Sequence, residues 1–284
     1  MSRVKLVECP RDAMQGFHHP ISTKDKIEYL NALLKVGFHT IDCGSFVSAK
    51  AIPQLADTNE VLGSIDRNKH GTRLLVIVAN ERGAEEASEF SNVDVVGFPF
   101  SISEEFQVRN THQTIPEAVD RLKAINKICK NSGKDFLVYL SMGFGNPYKD
   151  EWSPEIAINW CKKLADMGIK YINLADTIGV ARKDDISTIF KACLKDIPQV
   201  EFGAHFHTRP DNYLQNISAA YEAGCRSFDS AIRGFGGCPF ATDKLTGNLP
   251  TESLLSYLTH IGEPTGIKQR EFDEAFMIAG RIFV

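Results

Sequence analysis

The chain has 284 residues, 43% hydrophobic and 24% charged, with a net charge of −4. That balance is ordinary for a soluble globular protein and leaves no basic footprint for nucleic acid. No apolar run approaches the roughly 18 residues of a membrane helix.

The opening "MSRVKLVECPRD" runs straight into a strand-like segment with no long apolar signal region, an expectation of a cytoplasmic protein. Strand one, "VKLVEC", precedes "STKDKIEYLNALLKVG", where Ile27, Leu30, Leu33 and Leu34 recur at helical spacing and Gly37 stops the helix. "HTIDCG" reads as strand two, and a loop with Pro53 leads to a helix around "DTNEVLGSI". "TRLLVIVA" is strand three, followed by the helix "NERGAEEASEF" with Asn80 as its N-cap. "VDVVGFPF" is strand four. A connecting segment then reaches the long helix "IPEAVDRLKAINKICKNSG", with Pro116 in its first turn.

The second half repeats the pattern. "DFLVYLSM" is strand five, with the helix "SPEIAINWCKKLADMG" behind it, and "KYINLAD" is strand six, with a helix around "KDDISTIFKACLKD". "EFGAHFH" is strand seven, before "NYLQNISAAYEAGC". "SFDSAIRG" is strand eight, before "TESLLSYLTHIG" with Thr251 as cap. A last helical segment, "QREFDEAFMIAGRIF", lies beyond the count.

Eight strand–helix units in about 260 residues are the pattern of an α/β fold of the (β/α)₈ TIM-barrel type, here with a short extra C-terminal helical segment. Near-continuous apolar strands suit parallel strands buried on both faces. With no low-complexity linker, residues 1–284 read as one domain. A doubly wound open sheet is the alternative, but it more often stops at five to seven strands. Of seven cysteines, Cys9, Cys43, Cys129, Cys161, Cys193 and Cys225 sit in apolar patterns and read as small buried hydrophobes in a reducing compartment. The sequon at Asn216 reads as chance.

Barrel active sites sit at the C-terminal ends of the strands. Strand one ends in Arg11-Asp12, strand two in Asp42 and strand six in Asp176. Strand seven ends in His205 and His207, and strand eight leads to Cys238. Residues i and i+2 of a strand share a face, so both imidazoles reach one spot. Hydrogen-bonded strand histidines are the rival reading. Asp12 would add a hard oxygen, a mixed set suited to Mg²⁺ or Mn²⁺, while ligand type alone leaves Zn²⁺ open. Asn248 offers an amide oxygen as a further ligand or is a turn residue. Arg11 can hold a carboxylate or a developing oxyanion. Asp176 either supports its neighbours at the site or caps a turn. Cys238, in "GFGGCPF", is a thiol on a glycine-rich loop, suited to nucleophilic or acid–base work.

The blocks "ECPRDAMQ", "SFVSAKAIPQLAD", "LADTIGV", "AHFH", "GFGGCP" and "GNLPTE", in this order, resemble the 3-hydroxy-3-methylglutaryl-CoA (HMG-CoA) lyases of the DRE-TIM metallolyase superfamily. The resemblance runs from about residue 4 to residue 262. It implies metal-dependent retro-Claisen cleavage to acetoacetate and acetyl-CoA, the chemistry of leucine degradation. Asp12, His205, His207 and Asn248 would hold the divalent ion, with no organic prosthetic group. Arg11 would stabilise the oxyanion, Cys238 would protonate the enolate carbon, and His207 could double as a proton carrier. Asp42 and Asp176 complete the catalytic set so implied. An acyl-CoA is the partner, with no nucleic acid or membrane. A homodimer is the family's expectation, with the terminal helical segment as contact surface.

The chain departs from the pattern at several places. Ala13 follows Asp12 where the family usually has Gly, Asp42 is one methylene shorter than the usual Glu, and Thr208 stands where an acid is common. Asp243 and Lys244 lie in a loop one residue longer than expected. A lyase for a related 3-hydroxyacyl-CoA is therefore an alternative. So is an acetyl-CoA-dependent condensing enzyme, although the GGCP loop favours a lyase. The intact Arg–Asp–His–His–Cys set argues against a non-catalytic barrel. Lys50, Arg109 and Arg233 are candidates for the CoA phosphates, each with a solvated charge as its rival reading.

Overall fold

The computed structural model describes residues 3–66, 71–237 and 246–283. Among these, parallel strands alternate with helices and close into a ring. The strands are β1 (Lys5–Glu8), β2 (Thr40–Ser45), β3 (Arg73–Ile77), β4 (Val95–Ser101), β5 (Asp135–Ser141), β6 (Tyr171–Asp176), β7 (Glu201–Thr208) and β8 (Ser227–Ser230). Each pairs with the next in sequence, and β1 pairs with β8 to complete the barrel. A two-residue β9 (Gly247–Asn248) runs antiparallel to the end of β7, placing Asn248 opposite His207. Among the described residues no helix is long and apolar enough to cross a membrane.

Strand alternation sorts the apolar residues into two cores. Leu75, Ile77, Val95, Leu137 and Tyr139 fill the barrel interior, while Leu74, Val76, Val96, Val138, Ile172 and Phe202 face the helices. This double burial is why the strands read as continuous apolar runs. At the N-terminal end, Lys5–Glu201 and Arg73–Asp135 ion pairs ring the barrel floor.

The outer layer comprises α1 (Pro10–Gln15), α2 (Thr23–Val36), α3 (Thr58–Ser64), α4 (Glu81–Ser88), α5 (Glu104–Thr111), α6 (Ile115–Ser132), α7 (Pro154–Asp166), α8 (Lys183–Asp196), α9 (Tyr213–Glu222), α10 (Thr251–His260) and α11 (Gln269–Ile282). Their ends carry the expected signals. Asn80 accepts the Gly83 amide at 2.9 Å, Thr114 and Glu117 form a capping box, and Gly37 ends α2 at φ 99°. The six cysteines named above are buried and form no disulfide. Asn216 is fully buried, which closes the sequon to modification in the folded chain.

Several expectations need correction. Strand one stops at Glu8, and Pro10 opens a short helix that carries Arg11 and Asp12. Proline has no amide to give a strand but suits a first helical turn. The segment between strand four and the long helix contains α5, capped by Ser103 through the Phe106 amide at 3.2 Å. Strand eight ends at Ser230 rather than running to Gly234. Thr251 lies inside α10, with Pro250 at the cap position. Its hydroxyl instead reaches Glu8 at 2.6 Å.

Candidate active site

β7 sends His205 and His207 to the same inner face at the C-terminal mouth, as period two requires. Ligand atoms of Asp12, His205 and His207 lie within 4.8 Å of one another, and all three residues are buried. The Asp12 carboxylate comes from α1, which opens at Pro10, two residues after β1 ends at Glu8. Burial would raise Asp12, but Arg11, His207 and His205 outweigh it and hold the carboxyl well below its usual range.

Hydrogen bonds fix both imidazoles. His205 Nδ1 donates to Asp229 Oδ2 at 2.9 Å, and Asn173 Nδ2 donates to both oxygens of Asp229 at 3.0 Å. His207 Nδ1 donates to the Thr177 carbonyl at 2.9 Å. With the proton on Nδ1, each ring keeps its Nε2 lone pair. His207 Nε2 is buried without a hydrogen-bond partner, and it faces Asp12 Oδ2 at 3.6 Å. Two buried lone-pair carriers at that distance call for positive charge between them. The donor set of one carboxylate and two imidazoles therefore fits a divalent ion.

Arg11 is locked in place. Its Nε and one terminal nitrogen donate to Asp42 Oδ2 at 2.9 and 2.7 Å, and the other terminal nitrogen donates to Asp12 at 2.9 Å and Gln15 at 2.8 Å. Burial would lower the guanidinium pKa, but Asp42 and Asp12 raise it further above its usual value. Burial lifts Asp42 to about 6 even though Arg11 pulls the other way.

The remaining expected residues take less direct places. Asp42 meets Arg11 rather than the cavity. Asp176 spends its oxygens on the Val180 and Ala181 amides at 2.9 Å each, so it shapes the turn that presents the Thr177 carbonyl to His207. Neither carboxylate lines the mouth cavity. Asn248 sits beside Asp12 but turns its amide nitrogen to it, donating at 2.7 Å. Cys238 lies outside the described residues. Arg109 pairs with Glu105 at 2.7 Å, Arg233 stacks on Phe276, and Lys50 is exposed. None of these three cations lines the mouth cavity.

Asp229, Asn173 and Thr177 were missed in the sequence. Asp229 could have been found, since a charged residue central to the short apolar strand "SFDSA" must face a polar partner inside. Asn173 is accommodated because β7 carries Gly203 opposite it. A Cβ there would collide with the Asn173 amide.

The cavity above these residues measures about 150 Å³ and is lined on one side by Arg11, Asp12, His205 and His207. Val47, Ile52, Ile77, Pro99 and Phe106 form an apolar wall, and Tyr139, Ser141 and Asn110 add polar groups. A groove of about 370 Å³ along Phe17, His18, Pro20, Pro53 and Gln54 shares Gln15, Ala51 and Ile52 with it.

A carboxylate–imidazole cluster at the C-terminal mouth of a (β/α)₈ barrel, beside a buried arginine, defines a class of barrel enzymes that act on oxygen-rich substrates. The chain belongs to the HMGL-like family, whose model matches residues 3–277. It is 31% identical over 268 residues to the hydroxymethylglutaryl-CoA lyase of Pseudomonas mevalonii, covering 94% of this chain and 88% of that protein. It is 34% identical over 274 residues to the human mitochondrial hydroxymethylglutaryl-CoA lyase, covering 96% and 83% respectively. Among solved structures, the Bacillus subtilis HMG-CoA lyase superposes with a TM-score of 0.92 at 31% identity over 99% of this chain and 94% of that one. An Acinetobacter baumannii HMG-CoA lyase in complex with coenzyme A and 3-methylmalate gives 0.91 at 31% identity, over 99% and 91%.

Proposed function

We propose that this chain is a carbon–carbon lyase that cleaves HMG-CoA to acetoacetate and acetyl-CoA. The observation that carries this reading is the convergence of Asp12, His205 and His207 beside the locked Arg11, in a chain whose relatives bear that name. Asp12, His205 and His207, with Asn248 beside them, would hold Mg²⁺ or Mn²⁺. Such an ion supplies Lewis-acid polarisation of the substrate's oxygens when bound.

The protein's own groups do the rest. Arg11 enters the cavity already aligned by Asp42, Asp12 and Gln15, so its positive charge needs no reorganisation as the thioester carbonyl becomes an enolate oxygen. The C3 hydroxyl gives up its proton to solvent water at the cavity mouth, and that oxygen becomes a ketone carbonyl. The C2–C3 bond breaks, and its electron pair passes to C2 of the departing acetyl-CoA. The sequence resemblance assigns the proton that quenches C2 to Cys238. A lone pair committed to an ion makes His207 a poor base, so we keep it as a ligand.

The cavity suits a short acyl group, and the adjoining groove gives the CoA arm a path to solvent. We also read residues 1–284 as one catalytic unit in the cytoplasm, where the buried thiols stay reduced.

The apolar wall favours a second reading, a lyase for a related 3-hydroxyacyl-CoA with an alkyl branch. Comparing kcat/KM for HMG-CoA and 3-hydroxy-3-methylbutanoyl-CoA decides between the two. The main reading expects acetoacetate and acetyl-CoA in equal amounts from HMG-CoA with Mg²⁺ or Mn²⁺. Folded protein that yields neither product with either ion would overturn it.

A further inference from the structure

We propose that helix α11 and Phe283 just after it, outside the eight-unit barrel, are part of the catalytic apparatus, with Phe276 and Phe283 clamping Arg233 and Phe235 of the loop after β8 so that the Phe235 carbonyl orients Asn248 against Asp12. The proposal rests on the reading of Asp12, His205 and His207 as an ion site.

α11 meets the loop at two points. At the first, Arg233 adopts the left-handed region at φ 63°, unusual for a residue with a side chain. Its guanidinium lies 4.2 Å from the centroid of the Phe276 ring. It fits a notch at Gly280, where a Cβ would come within 2.5 Å of a guanidinium nitrogen. At the second, the Phe235 ring stacks on Phe283 at 4.8 Å and 29°. Phe283 is itself wedged edge-on against Phe17 at 5.5 Å and Tyr29 at 6.1 Å. Residues 233 to 235 are thus held from outside the barrel by two separate ring contacts.

What they hold reaches the site in one step. The Asn248 amide has two N–H groups. One donates to the Phe235 carbonyl at 2.9 Å and the other to Asp12 Oδ2 at 2.7 Å. The next residue leaves no slack, because a Cβ on Gly236 would lie 2.5 Å from that amide nitrogen and 2.9 Å from the Asp12 carbonyl oxygen. A shift of the loop by a fraction of an ångström therefore moves Asn248 and presses on Asp12. Beyond Gly237 the same segment continues in sequence to Cys238. One face of α11 packs on its own chain, with Phe272, Ala275 and Ala279 buried, while Met277 is exposed.

The test uses full-length apo-protein with Mn²⁺ as the probe, read by titration calorimetry, alongside HMG-CoA turnover and thermal melting. Phe283→Ala is expected to weaken Mn²⁺ binding about tenfold and to lower kcat at least as much. KM for HMG-CoA should change by less than about threefold. Phe283→Tyr, which keeps the ring, should restore both. Gly280→Ala is the second variant. Alanine favours the helix over glycine, so the fold is spared, but the added methyl displaces Arg233 and should weaken Mn²⁺ binding in the same way. Variants that melt earlier yet bind Mn²⁺ and turn over normally per folded molecule would overturn the proposal. Variants that show this Mn²⁺ pattern beside a wild type that cleaves no HMG-CoA would leave the clamp standing and sink the lyase reading. Wild-type protein that binds no Mn²⁺ would overturn both.

Discussion

Asp229 and His205 share a 2.9 Å hydrogen bond that fixes which imidazole nitrogen carries the proton and so which one is free to bind an ion. Asn173 steers the same carboxylate from the other side. Supports of this kind usually contribute 10–100-fold in metal affinity or activity. Asp229→Ala should therefore weaken Mn²⁺ binding by about that factor, measured by calorimetry on apo-protein. Affinity within about twofold of wild type would show that the ring is held by packing alone.

Arg11 makes a different kind of contribution, because its fork bridges Asp42, Asp12 and Gln15 at once. A lysine ammonium keeps the charge but cannot present that planar geometry. Arg11→Lys should reduce kcat by about 10²-fold or more, in line with the loss of a preorganised oxyanion donor, while the protein stays folded. An unimpaired kcat in steady-state assays would remove Arg11 from the chemistry.

Glu8 couples stability to pH. It is fully buried, receives the Ile232 amide at 2.8 Å and the Thr251 hydroxyl at 2.6 Å, and burial raises it from 4.5 to about 8 against those bonds. The folded chain thus keeps a proton between these values that the unfolded chain has lost. The stabilisation linked to this proton is whole below pH 4.5 and is lost as pH rises through about 8. Glu8→Gln mimics the protonated form at every pH. Its melting temperature should gain on wild type from pH 5 up to about pH 8 and level off above that in scanning fluorimetry. Parallel curves would contradict the assignment.

Much of this was legible in the sequence, for identifiable reasons. Strand and helix periods gave the barrel, and the barrel made His205 and His207 neighbours at its mouth. Pairings between neighbouring strands have no sequence period. Asp229 meets His205 from 24 positions away, and Phe235 reaches Asn248 only through the loop's path. Local signals also competed. "ECPRD" reads as a strand running on, but Pro10 turns it into a helix. Thr251 looks like a cap, but Glu8, distant in sequence, claims its hydroxyl. Asp42 and Asp176 lie close to the mouth but outside the cavity lining. The partners that each meets there have no local signal.

Cys238 is assigned by the resemblance of "GFGGCP" to the lyase loop. Cys238→Ser should slow turnover by orders of magnitude, because a hydroxyl is a far weaker acid than a thiol, and it should leave Mn²⁺ affinity nearly unchanged. A serine variant with near-normal kcat would require another proton donor.

The most direct test of the account titrates Mn²⁺ into metal-free protein, following ion occupancy and acetoacetate release from HMG-CoA in the same samples. The account predicts that the rate rises with occupancy and saturates at one ion per chain, and that His205→Ala loses both together. Full turnover in metal-free protein, or a saturated site that releases no acetoacetate, would contradict it.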